Sequence, residues 1–188
     1  MAISSDQLRK AVPALAVAGV ATLYFLWCAW DPSQWHLIDG VNLLIHEAGH
    51  LVFMPFGHFI MIAGGSMFQV IMPAAFVVYF FWYGKYYQAA LVSFWVGESI
   101  LNVSVYAADS IKMQLPLLGG PDSIHDWNYL LTETGLLSST PLIGGLIRFI
   151  GTIVILAGAA CAIWVTLKKA ADADAVDGER GIVYRQRI

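Results

Sequence analysis

Val41-Asn42-Leu43-Leu44-Ile45-His46-Glu47-Ala48-Gly49-His50-Leu51-Val52-Phe53-Met54-Pro55-Phe56 is an apolar stretch interrupted by three ionisable side chains. Whether it crosses a membrane decides how everything on either side of it is arranged. A bilayer-spanning helix needs roughly 20 apolar residues. The helix expected here, about Val41 to Met54, is shorter than that, and Pro55 and Gly57 end it. It reads as a half-membrane or re-entrant element buried against other helices, because polar groups at membrane depth are tolerated only where protein encloses them.

The rest of the chain supplies those helices. Of its 188 residues 59% are hydrophobic and only 12% charged, far below the charged quarter usual in soluble domains, which argues against a soluble enzyme. The net charge of -3 leaves no broad basic surface and excludes nucleic acid as a partner. Four segments are long enough to span: Ala11 to Trp30, Gly65 to Tyr83, Tyr86 to Ala108 and Leu142 to Leu167. The expected fold is an all-α multi-pass membrane protein, about four transmembrane helices plus the short re-entrant one, with the lipid bilayer as its constant partner. Arg9 and Lys10 precede the first apolar run as in a signal peptide, but the run is long for one and lacks a clear small-x-small cleavage site, so it reads as a retained span.

Positive charge tests this topology, since Lys and Arg near span ends favour the cytoplasmic side. If the Val41 helix does not cross, Arg9, Lys10, Lys85, Lys168 and Lys169 fall on one side, with Lys112 the main exception. If it crosses, the bias largely disappears. The non-crossing arrangement is preferred. It puts the connection 31–40, the Val41 helix and the long loop 109–141 together on the non-cytoplasmic side.

Residues 1–167 are thus expected to form the membrane domain and residues 168–188, polar and mixed in charge, a mobile cytoplasmic tail. Cys28 and Cys161 lie far apart in apolar segments and read as small buried hydrophobes. Trp27, Trp30, Trp35, Trp82, Tyr83 and Tyr86-Tyr87 match interface belts. Gly57 and Gly64-Gly65 suggest a tight hairpin over 56–65 whose strand edge would accept an extended peptide.

Within the opening stretch, His46 and His50 stand at i and i+4 on one helix face, with Glu47 beside them. Two imidazoles one turn apart can hold one Zn2+, with Glu47 as general base on the metal-bound water. Charged groups at a membrane helix centre cost roughly 2.5–3.5 kcal/mol each on insertion scales, which weighs against a chance pattern. A catalytic zinc usually takes three protein ligands, and three candidates offer the third. His125 is the first choice because neutral imidazole is a favoured zinc ligand; Asp109 and Asp126 are the alternatives. Glu98, Asn102 and Tyr106 share one face of the Tyr86 span, which should look into the bundle. Gln69, Asn102 and Ser104 are expected to bond between helices. Glu98 is expected to be neutral, metal-associated or part of a proton path. His36 and His58 flank the Val41 helix as structural residues.

His46-Glu47-Ala48-Gly49-His50 in an apolar helix, followed by a glycine-containing turn and a span beginning Gly64-Gly65-Ser66, resembles the site-2 protease superfamily of intramembrane zinc metallopeptidases, in its small forms without a PDZ domain. The resemblance covers about Val41 to Pro73. It implies peptide-bond hydrolysis in or near the membrane, with a membrane protein or peptide as substrate. That family's usual third ligand is an Asp in an Asn-Pro-Asp-Gly or Leu-Asp-Gly motif on a later helix; the near match here, Leu37-Ile38-Asp39-Gly40, precedes the two histidines. The same histidines and general base would also serve a zinc-dependent hydrolase of a lipid amide or ester. A non-enzymatic metal-binding assembly protein would need only the histidines.

Overall fold

The computed structural model describes residues 3–118 and 123–185. Its helices run in the order α1 (Ser5–Trp30), α2 (Asp39–Phe53), α3 (His58–Trp82), α4 (Tyr86–Ala108), α5 (Asp126–Glu133) and α6 (Thr140–Arg185), with no strand among the described residues. The four long helices are each apolar enough to cross a membrane; α2 is not among them. Val20, Leu23, Trp30, Val78, Trp82, Leu142, Phe149 and Trp164 all stand more than half exposed. In water such a surface would be an apolar patch far beyond what a monomer tolerates. Lipid covers it in a multi-pass membrane protein.

The interior is built on α4, which packs against α1, α2, α3 and α6. Phe94, Leu101, Ile155 and Ala159 form its buried centre, with Phe25 of α1 stacked on Phe94 at 5.4 Å. Lipid tails are as apolar as leucine, so helices associate here through close fit rather than burial from water. Gly97 and Gly151 allow that fit. A Cβ on Gly97 would lie 2.6 Å from Ile155 and 2.9 Å from the Gly151 carbonyl.

Arg148, near the start of α6, donates to the carbonyls of Ala29 and Trp30 at the end of α1, at 3.0 and 3.1 Å. Ser110, just after α4, bonds Thr140 at the first residue of α6, and Asn128 of α5 donates to the Ser110 carbonyl. His58, the first residue of α3, meets Tyr129 of α5. The chain therefore leaves α1 and enters α3 at the same end of the bundle, and α2 between them dips in without crossing. Lys10, Lys85, Lys168 and Lys169 gather at the other end, the grouping that the non-crossing arrangement requires.

Four expectations differ from the structure; one is Ser104, whose hydroxyl donates within α4 to the Leu101 carbonyl instead of to another helix. α3 begins at His58 rather than Gly65, so the segment expected to form a hairpin with a strand edge is helical. A 3-10 turn over Met54–Phe56 and Gly57, at φ +94°, connect α2 to α3, while Gly64 and Gly65 lie inside α3 and let α2 approach. The break expected after Leu167 does not occur: α6 stays helical to Arg185, through an alanine-rich stretch with good helix propensity. Residues 186–188 of the expected tail lie outside the described residues. Cys28 is buried but Cys161 is exposed on the surface of α6.

Candidate metal centre

α2 and α3 run antiparallel and in close contact because both are small where they meet. A Cβ on Gly64 would lie 2.6 Å from the Phe53 Cβ and 2.9 Å from the Gly49 carbonyl. This contact brings the polar face of α2 against α3. The rings of His46 and His50 stand 4.9 Å apart, nearly perpendicular. Asp126, the first residue of α5, closes the group: its Oδ2 lies 2.9 Å from His46 Nε2 and 3.2 Å from His50 Nε2. The three ligand atoms lie within 4.8 Å of one another.

The outer nitrogens decide what the inner ones can do. His46 Nδ1 faces Gln69 Oε1 at 3.1 Å and His50 Nδ1 faces the Met61 carbonyl at 2.9 Å. Both partners only accept, so each Nδ1 carries the hydrogen, and in the neutral rings each Nε2 offers a lone pair. Two lone pairs directed at a carboxylate oxygen repel unless a cation sits among them. Tetrahedral ligands at about 2.0–2.1 Å from zinc stand about 3.3 Å apart, so the two contacts to Asp126 Oδ2 need lengthen by only a few tenths of an ångström. The donor set of two imidazoles and one carboxylate suits zinc. Burial pushes the Asp126 carboxyl up; protonated His46 and His50, the alternative to an ion between them, would outweigh it through hydrogen bonds and hold the carboxyl below its ordinary value.

The support continues outward in one direction. Gln69 accepts from His46 through Oε1, so its amide Nε2 donates, to Asn102 Oδ1 at 2.8 Å and more loosely to the Ser99 carbonyl. Asn102 Nδ2 then donates to Asp39 Oδ1 at 3.1 Å. The chain of donors ends on a buried carboxylate, which fixes both amide orientations and the His46 tautomer together. α5 is held by three polar side chains in succession: Trp127 Nε1 donates to Ser66 Oγ, Asn128 to the Ser110 carbonyl, and Tyr129 pairs with His58. Tyr106 Oη accepts from the Asp126 backbone N–H at 3.0 Å.

The candidate ligands are thus divided differently from the expectation. His46 and His50 come together as expected, and the residue beside them is Asp126. His125 lies outside the group because it is the N-cap of α5: its Nδ1 accepts from the Asn128 N–H, and its Nε2 lies 3.4 Å from Asp109 Oδ2. Asp109 accepts in addition from the backbone of Gln114 and Leu115 and so organises the loop rather than the metal group. Glu47 is half-buried on α2, next to His46. The face Glu98, Asn102 and Tyr106 does look inward: Glu98 accepts from Asn42, Asn102 bonds Gln69 and Asp39, and the Tyr106 ring lies 5.7 Å from that of His46. Glu98 does not join the metal group. His36 is a buried structural residue, with its backbone N–H donated to Asp39 and its ring against Trp27.

Sequence reasoning gave Gly65 and the Met61 carbonyl no place at the site, and it expected Gln69 to bond between helices, as it does, without linking it to His46. Gln69 carried a signal, a primary amide in mid-span, but nothing in the sequence tied it to His46. Gly65 lies beneath the two imidazoles: a Cβ there would be 2.5 Å from His46 Nε2 and 2.7 Å from His50 Nε2. Compared with protein-family models, curated proteins and solved structures, the chain matches none.

Proposed function

We propose that the protein is a zinc-dependent, membrane-embedded metallopeptidase that hydrolyses a peptide bond in or near the bilayer. The observation that carries this reading is the convergence of Asp126 with His46 and His50 of α2, the helix that also bears Glu47, with ligand atoms within 4.8 Å of one another. Three protein ligands leave a catalytic zinc one open position. Zinc held there supplies Lewis-acid polarisation of a carbonyl and a nucleophile at neutral pH. Glu47 makes no hydrogen bond or ion pair with another described residue, which leaves its carboxylate free to act. It takes a proton from the attacking water and returns it to the leaving amine. Gln69 and the Met61 carbonyl hold the imidazoles in the tautomer that ligates, and Tyr106 holds the backbone of Asp126. The lysine-rich end faces the cytoplasm in this reading, and the metal centre opens on the other side.

A lipid amide or ester is the second reading of the substrate. It is favoured by the lack of any strand near the centre among the described residues, since strand addition is the common way to bind an extended peptide.

The test is purified protein in vesicles, assayed for zinc content and for cleavage of a transmembrane peptide and of an N-acyl amide lipid. Glu47→Gln should keep zinc and abolish turnover, while His46→Ala should lose the metal. Full hydrolysis by either variant refutes an enzyme working through these groups. Cleavage of the lipid and not the peptide selects the second reading. Retained biological activity in Glu47→Gln would instead point to a metal-binding assembly role.

A further inference from the structure

The end of the bundle away from the metal centre carries a feature that hydrolysis does not use. Between the α3–α4 turn and α6 lies an open groove of about 920 Å³. Lys85, Lys168 and Lys169 line it, together with one carboxylate, Asp172. Among the described residues Lys85 and Lys169 make no ion pair; Lys168 Nζ stands over the Trp164 ring at 5.2 Å. Three ammonium groups therefore share one groove with a single opposing charge. Its wall is of another character: Val77 and Phe81 of α3, Ala90 of α4 and Val165 of α6 are apolar and lead along the membrane-facing helices. Tyr87 donates to the Ala14 carbonyl at 2.6 Å and pins α4 to α1 at the back. A smaller groove of about 440 Å³ on the α1 side shares Tyr87 and Lys169 and adds Lys10.

Snorkelling alone accounts for lysines at the ends of spans. It does not account for three of them around a cleft whose wall is apolar. That pairing matches a molecule with a phosphate at one end and hydrocarbon at the other, and basic pockets between membrane helices are known to take anionic headgroups. We infer that this groove binds an anionic phospholipid, with its phosphate among Lys85, Lys168 and Lys169 and an acyl chain along Phe81 and Val165. The site is independent of the metal centre and of the reaction assigned to it.

Cys161 provides a direct readout, because it is exposed and lines the groove while Cys28 is buried and silent. The full-length protein in nanodiscs is treated with a small membrane-permeable maleimide, and the rate of Cys161 alkylation is followed by mass spectrometry. Replacing part of a phosphatidylcholine bilayer with phosphatidylglycerol should slow labelling several-fold. The triple variant Lys85→Gln, Lys168→Gln and Lys169→Gln should label equally fast in both bilayers. Each lysine is expected to account for about fivefold in lipid affinity, and the three together for on the order of 100-fold. Thermal unfolding of the triple variant in phosphatidylcholine should match the parent, which shows that it is folded. Equal labelling of the parent in both bilayers, or protection that survives in the triple variant, overturns the inference. Protection by inorganic phosphate in phosphatidylcholine alone also overturns it, because it would mark a free-anion site rather than a lipid site.

Discussion

Gly65→Ala is the smallest change that tests the metal centre against its surroundings. The added methyl carbon would stand 2.5 Å from His46 Nε2 and 2.7 Å from His50 Nε2 and Cε1. Ordinary non-bonded separation is about 3.5 Å, so the rings would have to retreat by about 0.8–1 Å. They are not free to do so, because each Nδ1 is bonded to α3 through Gln69 or Met61. Metal sites tolerate ligand displacements of only about 0.2 Å. Zinc affinity should therefore fall by at least the ~10–100-fold seen when an outer partner of a ligand is removed, with a folding cost of about 1–3 kcal/mol for overpacking. Gly64→Ala is the control. Its methyl meets Phe53 and the Gly49 carbonyl, and no imidazole lies among its nearest neighbours. It should lower stability and leave zinc bound in the folded fraction. The assay is competition with a chromogenic chelator, alongside thermal unfolding of each variant. Gly65→Ala with parental zinc affinity would refute the placement of an ion between these rings.

Three further outcomes follow from the same geometry. Asp126→Ala should lose zinc, whereas His125→Ala should retain it and lose about 1 kcal/mol of stability with its helix cap; elemental analysis and thermal unfolding report the two effects, and zinc loss confined to His125→Ala would reverse the ligand assignment. Gln69→Leu should weaken zinc binding about 10–100-fold by removing the His46 Nδ1 acceptor, and parental affinity in the same chelator competition would refute that role. Gly151→Leu should separate α4 from α6 and destabilise the bundle by about 1–3 kcal/mol; unchanged unfolding in detergent would refute a close-packed crossing there.

Much of this architecture is legible in the sequence because a bilayer imposes length. Ala11 to Trp30, Tyr86 to Ala108 and Leu142 to Leu167 exceed the spanning threshold with few charges, and each lies within or coincides with a helix of the structure. The non-crossing of α2 is legible for a related reason: the lysines of three distant segments fall at one end only if α2 turns back. Glycine is where the reading fails. Gly57 and Gly64-Gly65 look alike on the page, yet one turns the chain at positive φ and the others give two helices room to touch. The His125-Asp126 pair fails for a subtler reason. Chemistry favours the imidazole, but the first turn of α5 gives the capping position to His125 and turns the next side chain toward α2. Which of two neighbours caps a helix is settled by how that helix docks, and Trp127, Asn128 and Tyr129 dock it on residues far away in sequence.

The three groups that converge at the metal centre do not emerge together when the chain is made. His46 and His50 belong to a helix that can settle only once α3 lies against it, and Asp126 comes from a segment synthesised after α3 and α4. An ion gripped by all three can be captured only after three long helices are in place and α5 has folded back over them. On the proposed function, metal capture is then a late event in biogenesis. A chain stalled or cut before residue 126 would carry both histidines and still lack the site.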